Sequence, residues 1–168
     1  DPVNMTIGEP KHPFPDWLPE MLHSHAAGYA NYPDNNGLPV LREAVTAWIA
    51  RRYGVEIDPE TQVMALSGTR EGLFNGALAL TPDEKNGRPV ILLPNPFYPV
   101  YGIAALAAGA DPIYVAATAE TGFLPDYAAL PEDVLNRTAI AYICSPANPQ
   151  GRVADEDYWK ELLALAER

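Results

Sequence analysis

Ser67-Gly68-Thr69-Arg70 lies between an apolar run and a helical pattern, and its composition suits an anion. A helix start presents unpaired backbone N–H groups and the positive end of the helix dipole. Here two hydroxyls and a guanidinium add to them. Gly68, Gly72 and Gly76 recur at i, i+4 and i+8, so they share one helix face. Each interior glycine costs about 1 kcal/mol relative to alanine, which signals something packed close to that face. Two readings stand side by side: a cradle for phosphate, or tight seating of the helix on a sheet. The segment is neither the GxGxxG dinucleotide pattern nor a P-loop, which needs Gly-Lys-Ser/Thr. A phosphate fits this loop; a nucleoside triphosphate does not.

Two further loops carry polar or aromatic groups at strand ends. Pro94-Asn95-Pro96-Phe97-Tyr98-Pro99-Val100-Tyr101 follows the apolar run Val90–Leu93, and its prolines hold Phe97 and Tyr98 at the strand's carboxyl end. A ring held there can stack on a flat heteroaromatic ligand, or simply cap the core. Thr138–Cys144 then halts in Ser145-Pro146-Ala147-Asn148-Pro149-Gln150-Gly151, where two prolines brace Asn148. That turn is either an ordinary connection or one that aims an amide. In open α/β sheets ligands bind beyond the carboxyl ends of the strands, where all three loops should lie.

The elements that must position these loops follow from patterning. Apolar Leu38, Leu41, Val45, Trp48 and Ile49, with Arg52, trace a helical stripe; Pro39 suits its first turn and Gly54 its end. Strands are expected at Val63–Ser67, Val90–Pro94, Pro112–Ala116 and Thr138–Cys144. Helices are expected at Arg70–Leu80, Tyr98–Ala108 and Asp155–Arg168, with short ones around Asp16–Ala26 and Tyr127–Leu130. Runs such as Val90-Ile91-Leu92-Leu93 do not alternate with polar residues, as in strands covered on both faces. The expected fold is three-layer α/β/α around a mainly parallel sheet with right-handed crossovers. Residues 1–37 read as an arm with a short helix, and 38–168 as a partial large domain. The first residue is Asp1, and the last helical pattern reaches Arg168 with no cap or following strand. Truncation at both ends is therefore the expectation.

Composition narrows the function. The 168 residues, 48% of them hydrophobic, allow one domain or one domain plus part of another. A formal charge of −11 argues against nucleic acid and anionic membrane as partners. No run approaches the ~20 apolar residues of a membrane span, and no signal peptide is evident, so a cytoplasmic protein is expected. Cys144, the single cysteine, lies in an apolar run and is read as a small core residue. His23 and His25 point apart on a helix, which disfavours a shared metal. Asp155-Glu156-Asp157 stands at a helix start, where the dipole favours it.

Taken in order and spacing, these segments resemble the class I/II pyridoxal-phosphate aminotransferases of fold type I. The likeness rests on Gly8-Glu9-Pro10, Tyr32-Pro33-Asp34-Asn35-Asn36-Gly37-Leu38-Pro39, Ser67-Gly68-Thr69-Arg70-Glu71, Asn95-Pro96-Phe97-Tyr98-Pro99 and Asn148-Pro149-Gln150-Gly151. Within that family the wording looks most like N-succinyldiaminopimelate aminotransferases, which serve lysine biosynthesis. The resemblance implies pyridoxal 5'-phosphate as cofactor, and an amino acid and a 2-oxo acid as substrates. It implies that Gly68, Thr69 and Arg70 hold the phosphate through backbone amides and the Thr69 hydroxyl. Tyr98 would stack on the pyridine ring, and Asn148 would bond its phenolic oxygen. Tyr32 would reach the phosphate of a neighbouring subunit in a homodimer, and Gly8 would lie beside the substrate carboxylate. It also implies cis peptide bonds before Pro96 and Pro149.

One departure matters. The reaction needs a Schiff-base lysine, and none of Lys11, Lys85 and Lys160 sits in a matching motif. No catalytic residue is assigned, and the chain is expected to be the inactive amino-terminal part of such an enzyme. Two rival readings are a carbon–sulfur lyase on the same scaffold and a non-catalytic, aminotransferase-like ligand sensor.

Overall fold

The computed structural model describes residues 12–168, so Gly8 and Lys11 lie outside the described residues. The chain divides into two compact units, one ending at Ala65 and the other running from Leu66 to Arg168.

In the first unit, α1 (Leu18–Ser24) is shorter than the expected Asp16–Ala26 and passes into a 3-10 turn, Ala26–Ala30. Helix α2 (Pro39–Tyr53) begins on proline and ends at Gly54, whose φ of +68° suits a residue without a Cβ. Its apolar stripe remains largely exposed; its buried residue is Arg42. The Arg42 guanidinium donates to the carbonyls of Gly37 (3.2 Å) and Pro59 (2.7 Å) and pairs with Glu60 at 3.1 Å. It ties the turn before α2 to the loop after it. That buried polar centre was not foreseen, because Arg42 follows the apolar positions in sequence and looks like a surface cation.

The second unit is built on a parallel sheet of order β2-β1-β3, formed by β1 (Val90–Asn95), β2 (Asp111–Ala116) and β3 (Thr138–Ala141). Central β1 is sealed on both faces. Ile91 and Leu93 pack with Ala77, Tyr101, Ala104 and Ala105, from α3 (Thr69–Leu80) and α4 (Val100–Ala107). Val90 and Leu92 pack on the other face with Tyr127, Val134 and Leu162. The last two come from α5 (Glu132–Arg137) and α6 (Glu156–Ala166). The α/β/α layering expected from the unbroken apolar runs is therefore present. No helix among the described residues is long and apolar enough to cross a membrane.

Several boundaries differ from expectation. Val63–Ser67 is not a strand: among the described residues no neighbour pairs with it along a ladder, and apolar content cannot make a strand without one. Among the described residues the sheet has three strands rather than four. Tyr127–Leu130 is a turn, and the helix starts after Pro131, with Glu132 and Asp133 favouring its dipole. Helix α4 starts at Val100 rather than Tyr98, because Pro99 occupies the cap position. Asp155 caps α6, its carboxylate accepting the Tyr158 amide at 3.0 Å, so the helix begins at Glu156.

Strand β3 ends at Ala141 instead of Cys144 for a reason visible in its partner. The Tyr142 amide still donates to the Leu92 carbonyl at 2.9 Å. In a parallel ladder the amide of residue 94 would next donate to the Tyr142 carbonyl, but residue 94 is proline and has no N–H. The Tyr127 hydroxyl supplies the missing bond at 2.8 Å.

Candidate functional site

The three loops converge. Thr69, Tyr98 and Asn148 line one cavity of about 240 Å³ together with Leu73, Pro94, Phe97, Tyr101 and Cys144. All eight residues belong to the second unit. A larger cavity, about 370 Å³, lies against β3 and α6, lined by aliphatic side chains together with Lys85, Glu132, Asn136, Thr138 and Arg168. The smaller one is singled out because the loops that follow the strands meet there, at the place where open α/β sheets bind ligands.

Its floor is the first turn of α3. Gly68 holds φ +125° before that helix, and an added Cβ would come within 2.7 Å of Glu71 Oε2. Only glycine takes this conformation without strain, and it leaves the helix-start amides free to face an anion. A Cβ at Gly72 would collide with Leu66, as close packing predicts, whereas at Gly76 nothing lies within 4 Å. The expectation of close packing thus holds at Gly72 and is not met at Gly76, around which the described residues leave open space.

One wall is aromatic. Arg70 Nε donates to the Tyr98 hydroxyl at 2.9 Å, latching the loop after β1 to the start of α3. That bond, with Tyr98 nearby, raises the Arg70 pKa further and keeps the guanidinium charged. The Arg70 side chain therefore orients a ring, a role the sequence did not suggest. Tyr101 meets Tyr98 edge-on at 5.8 Å and stacks on Tyr142 at 4.2 Å with planes 10° apart. Burial, then the neighbouring Cys144 and Tyr142, pushes the Tyr101 phenol above its ordinary pKa and holds it neutral. Phe97 turns toward Tyr114, their centroids 5.0 Å apart.

The turn bearing Asn148 also borders the cavity. Peptide bonds before Pro96 and Pro149 are cis, as the resemblance implied, and so is Ser145-Pro146. Cys144 was expected in the core but is only partly buried and lines the cavity, its Sγ 3.1 Å from the Pro146 carbonyl oxygen. The early end of β3 puts it there. Leu73, Pro94 and Tyr101 were also missed; Tyr101 follows Tyr98 by three residues, and its amide donates to the Tyr98 carbonyl at 3.0 Å in the turn leading into α4.

Other candidates lie elsewhere. Tyr32 is in the first unit and fully exposed. Lys85 donates to the Thr138 carbonyl at 2.6 Å and Lys160 pairs with Glu156 at 2.7 Å; neither lines the cavity. His25 Nδ1 lies 2.9 Å from both Ser24 Oγ and the Met21 carbonyl. The cavity's chemistry fits a small phosphorylated aromatic: helix-start amides for an anion, a phenol ring and a primary amide around one space.

Comparison with known proteins agrees with this geometry. The family model for class I and II aminotransferases matches residues 1–168. The chain is 40% identical to the LL-diaminopimelate aminotransferase of Dehalococcoides mccartyi, over 98% of this chain and 42% of that protein. It is 38% identical to the enzyme of the same name from Moorella thermoacetica, over 99% and 42%. An aminotransferase structure from Neisseria meningitidis superposes with a TM-score of 0.92 at 36% identity, covering 99% of this chain and 42% of that one. Substrate-bound BacF from Bacillus subtilis superposes at 0.86 with 32% identity, over 98% and 42%. The chain thus spans less than half the length of these relatives, as a partial large domain does. Motif order, layered sheet, converging loops and the match along all 168 residues place this chain in the class I and II aminotransferase family, whose enzymes work with pyridoxal phosphate.

Proposed function

We propose that this chain forms the cofactor-binding part of a pyridoxal-phosphate aminotransferase acting on a diaminopimelate-class amino acid and a 2-oxo acid. The observation carrying this reading is the meeting of Thr69, Tyr98 and Asn148 around one cavity. The α3 amides at Gly68, Thr69 and Arg70, with the Thr69 hydroxyl, hold the phosphate. Tyr98, fixed by Arg70, lies against the pyridine ring, and the Asn148 amide donates to the ring's phenolic oxygen. The cofactor, when bound, supplies an electron-withdrawing ring that draws charge from the substrate's α-carbon. Tyr32 serves the phosphate of a partner subunit in a homodimer, and Gly8 lies beside the substrate carboxylate. A cytoplasmic setting suits this role.

Lys85 and Lys160 are engaged away from the cavity, and Lys11 sits in no Schiff-base motif, so on this reading the 168-residue chain binds the cofactor but does not turn over. The relatives' names favour LL-diaminopimelate as amino donor, while the Gly-Thr-Arg-Glu-Gly and Pro-Asn-Pro-Phe-Tyr wording favours its N-succinyl derivative. The test has two parts. Titration with pyridoxine 5'-phosphate, which lacks the aldehyde and cannot react with stray lysines, should saturate. Asn148→Ala should weaken it about five- to tenfold, the scale of one neutral hydrogen bond, and Thr69→Ala about ten- to a hundredfold, the scale of one to an ionised group. Amino transfer from either donor to a 2-oxo acid is then assayed on this chain and on a protein extended to its relatives' length. Transfer by the extended protein alone is expected. Failure to bind, or transfer by the short chain, would overturn the proposal.

A further inference from the structure

Tyr142 is a residue to which neither the motifs nor the proposed chemistry assigns a role, yet each of its polar groups is held. Its amide donates to the Leu92 carbonyl at 2.9 Å, and its carbonyl accepts from Tyr127 at 2.8 Å. Its hydroxyl donates to the Leu73 carbonyl at 2.7 Å, and its ring stacks on Tyr101. Leu73 and Tyr101 both line the cavity, one from α3 and one from α4, and the residue is only 8% exposed. Two of these bonds fix its backbone to the sheet and to the opposite layer. The other two contacts reach the helices that carry the phosphate-facing turn and the aromatic wall.

We propose that Tyr142 is a positioning residue: it sets the spacing between the start of α3 and Tyr101, and through that the width of the cofactor cavity. The proposal rests on the cofactor reading above only for what the cavity holds. Its mechanical part concerns the empty protein as well. A side chain merely filling the core would do as well without its hydroxyl, because the Tyr101 stack uses the ring alone. The hydroxyl instead reaches past that ring to a backbone carbonyl one turn into α3.

Tyr142→Phe keeps the ring and removes the bond to Leu73. Tyr158→Phe is the control, since its hydroxyl is bound at 2.9 Å to the Pro125 carbonyl and it does not line the cavity. Two readouts are taken on the 168-residue chain: amide hydrogen exchange along α3 without ligand, and the affinity for pyridoxine 5'-phosphate. For Tyr142→Phe, exchange in the first two turns of α3 should quicken about fivefold and binding should weaken by a similar factor, as expected for one lost hydrogen bond. Tyr158→Phe should change neither. Unaltered α3 exchange in Tyr142→Phe, or equal loosening of α3 by both variants, would overturn the proposal. If the parent chain does not bind pyridoxine 5'-phosphate at all, the cofactor reading falls, while the exchange data still decide the role of Tyr142.

Discussion

Removing the Tyr127 hydroxyl should cost more stability than its single bond suggests, and its loss should be less than additive with a proline-to-alanine change in the neighbouring strand. Tyr127 is 2% exposed and its hydroxyl satisfies the Tyr142 carbonyl at 2.8 Å. In Tyr127→Phe that carbonyl has no donor, since the ladder position that would serve it is Pro94. An orphaned buried acceptor costs about 1–3 kcal/mol. Pro94→Ala restores an N–H at that position. Alone it should cost about 1–3 kcal/mol, because the unfolded chain gains freedom and two buried ring carbons are lost. In the double variant the new amide can bond the orphan, so the combined loss should fall short of the sum by about 1 kcal/mol. Urea denaturation of the four proteins, followed by tryptophan fluorescence, gives the coupling directly. Additivity to within about 0.5 kcal/mol, the range for independent sites, would refute this account of why β3 ends early.

The α3 glycines should respond in rank order to alanine. Gly76→Ala has open space and should stabilise by up to about 1 kcal/mol; destabilisation in urea would mean that this face is covered. Gly72→Ala should be near neutral, its helix gain offset by about 0.5–1.5 kcal/mol for moving Leu66 off its rotamer. Gly68→Ala should cost about 1–3 kcal/mol, because φ is +125° there. A separate expectation concerns alkaline pH. Burial pushes the Tyr158 phenol up to about 12, against about 10 when unfolded. Its folded pKa is the higher, so its contribution is complete below pH ~10 and lost as pH rises from there toward 12. Denaturation across that window should show a shallower decline in Tyr158→Phe, and identical slopes would count against the assignment.

Much of the second unit was legible because its signals are local. Unbroken apolar runs marked β1 as covered on both faces, and proline-braced loops after the runs marked the cavity walls. What escaped depends on partners distant in sequence. Arg70 and Tyr98 are 28 positions apart, and nothing in either loop announces their bond. Val63–Ser67 has strand composition, but pairing is a property of two segments. The end of β3 was misplaced because the proline that ends it lies in β1, not β3. Cys144 followed from that error: a strand running to 144 would have buried it, and one ending at 141 leaves it on the wall.

Strand β1 alternates between two cores, one on each face of the sheet, which are also joined by the Tyr127–Tyr142 bond. Successive positions along it are therefore separate dials. A methylene trimmed at Ile91 or Leu93 alters the bed beneath Tyr101 directly, whereas the same trim at Val90 or Leu92 acts first behind the sheet, reaching the other face through Tyr127 and Tyr142. An engineer wishing to reshape ligand fit without editing any lining side chain has two such positions to turn, with their immediate neighbours as built-in controls.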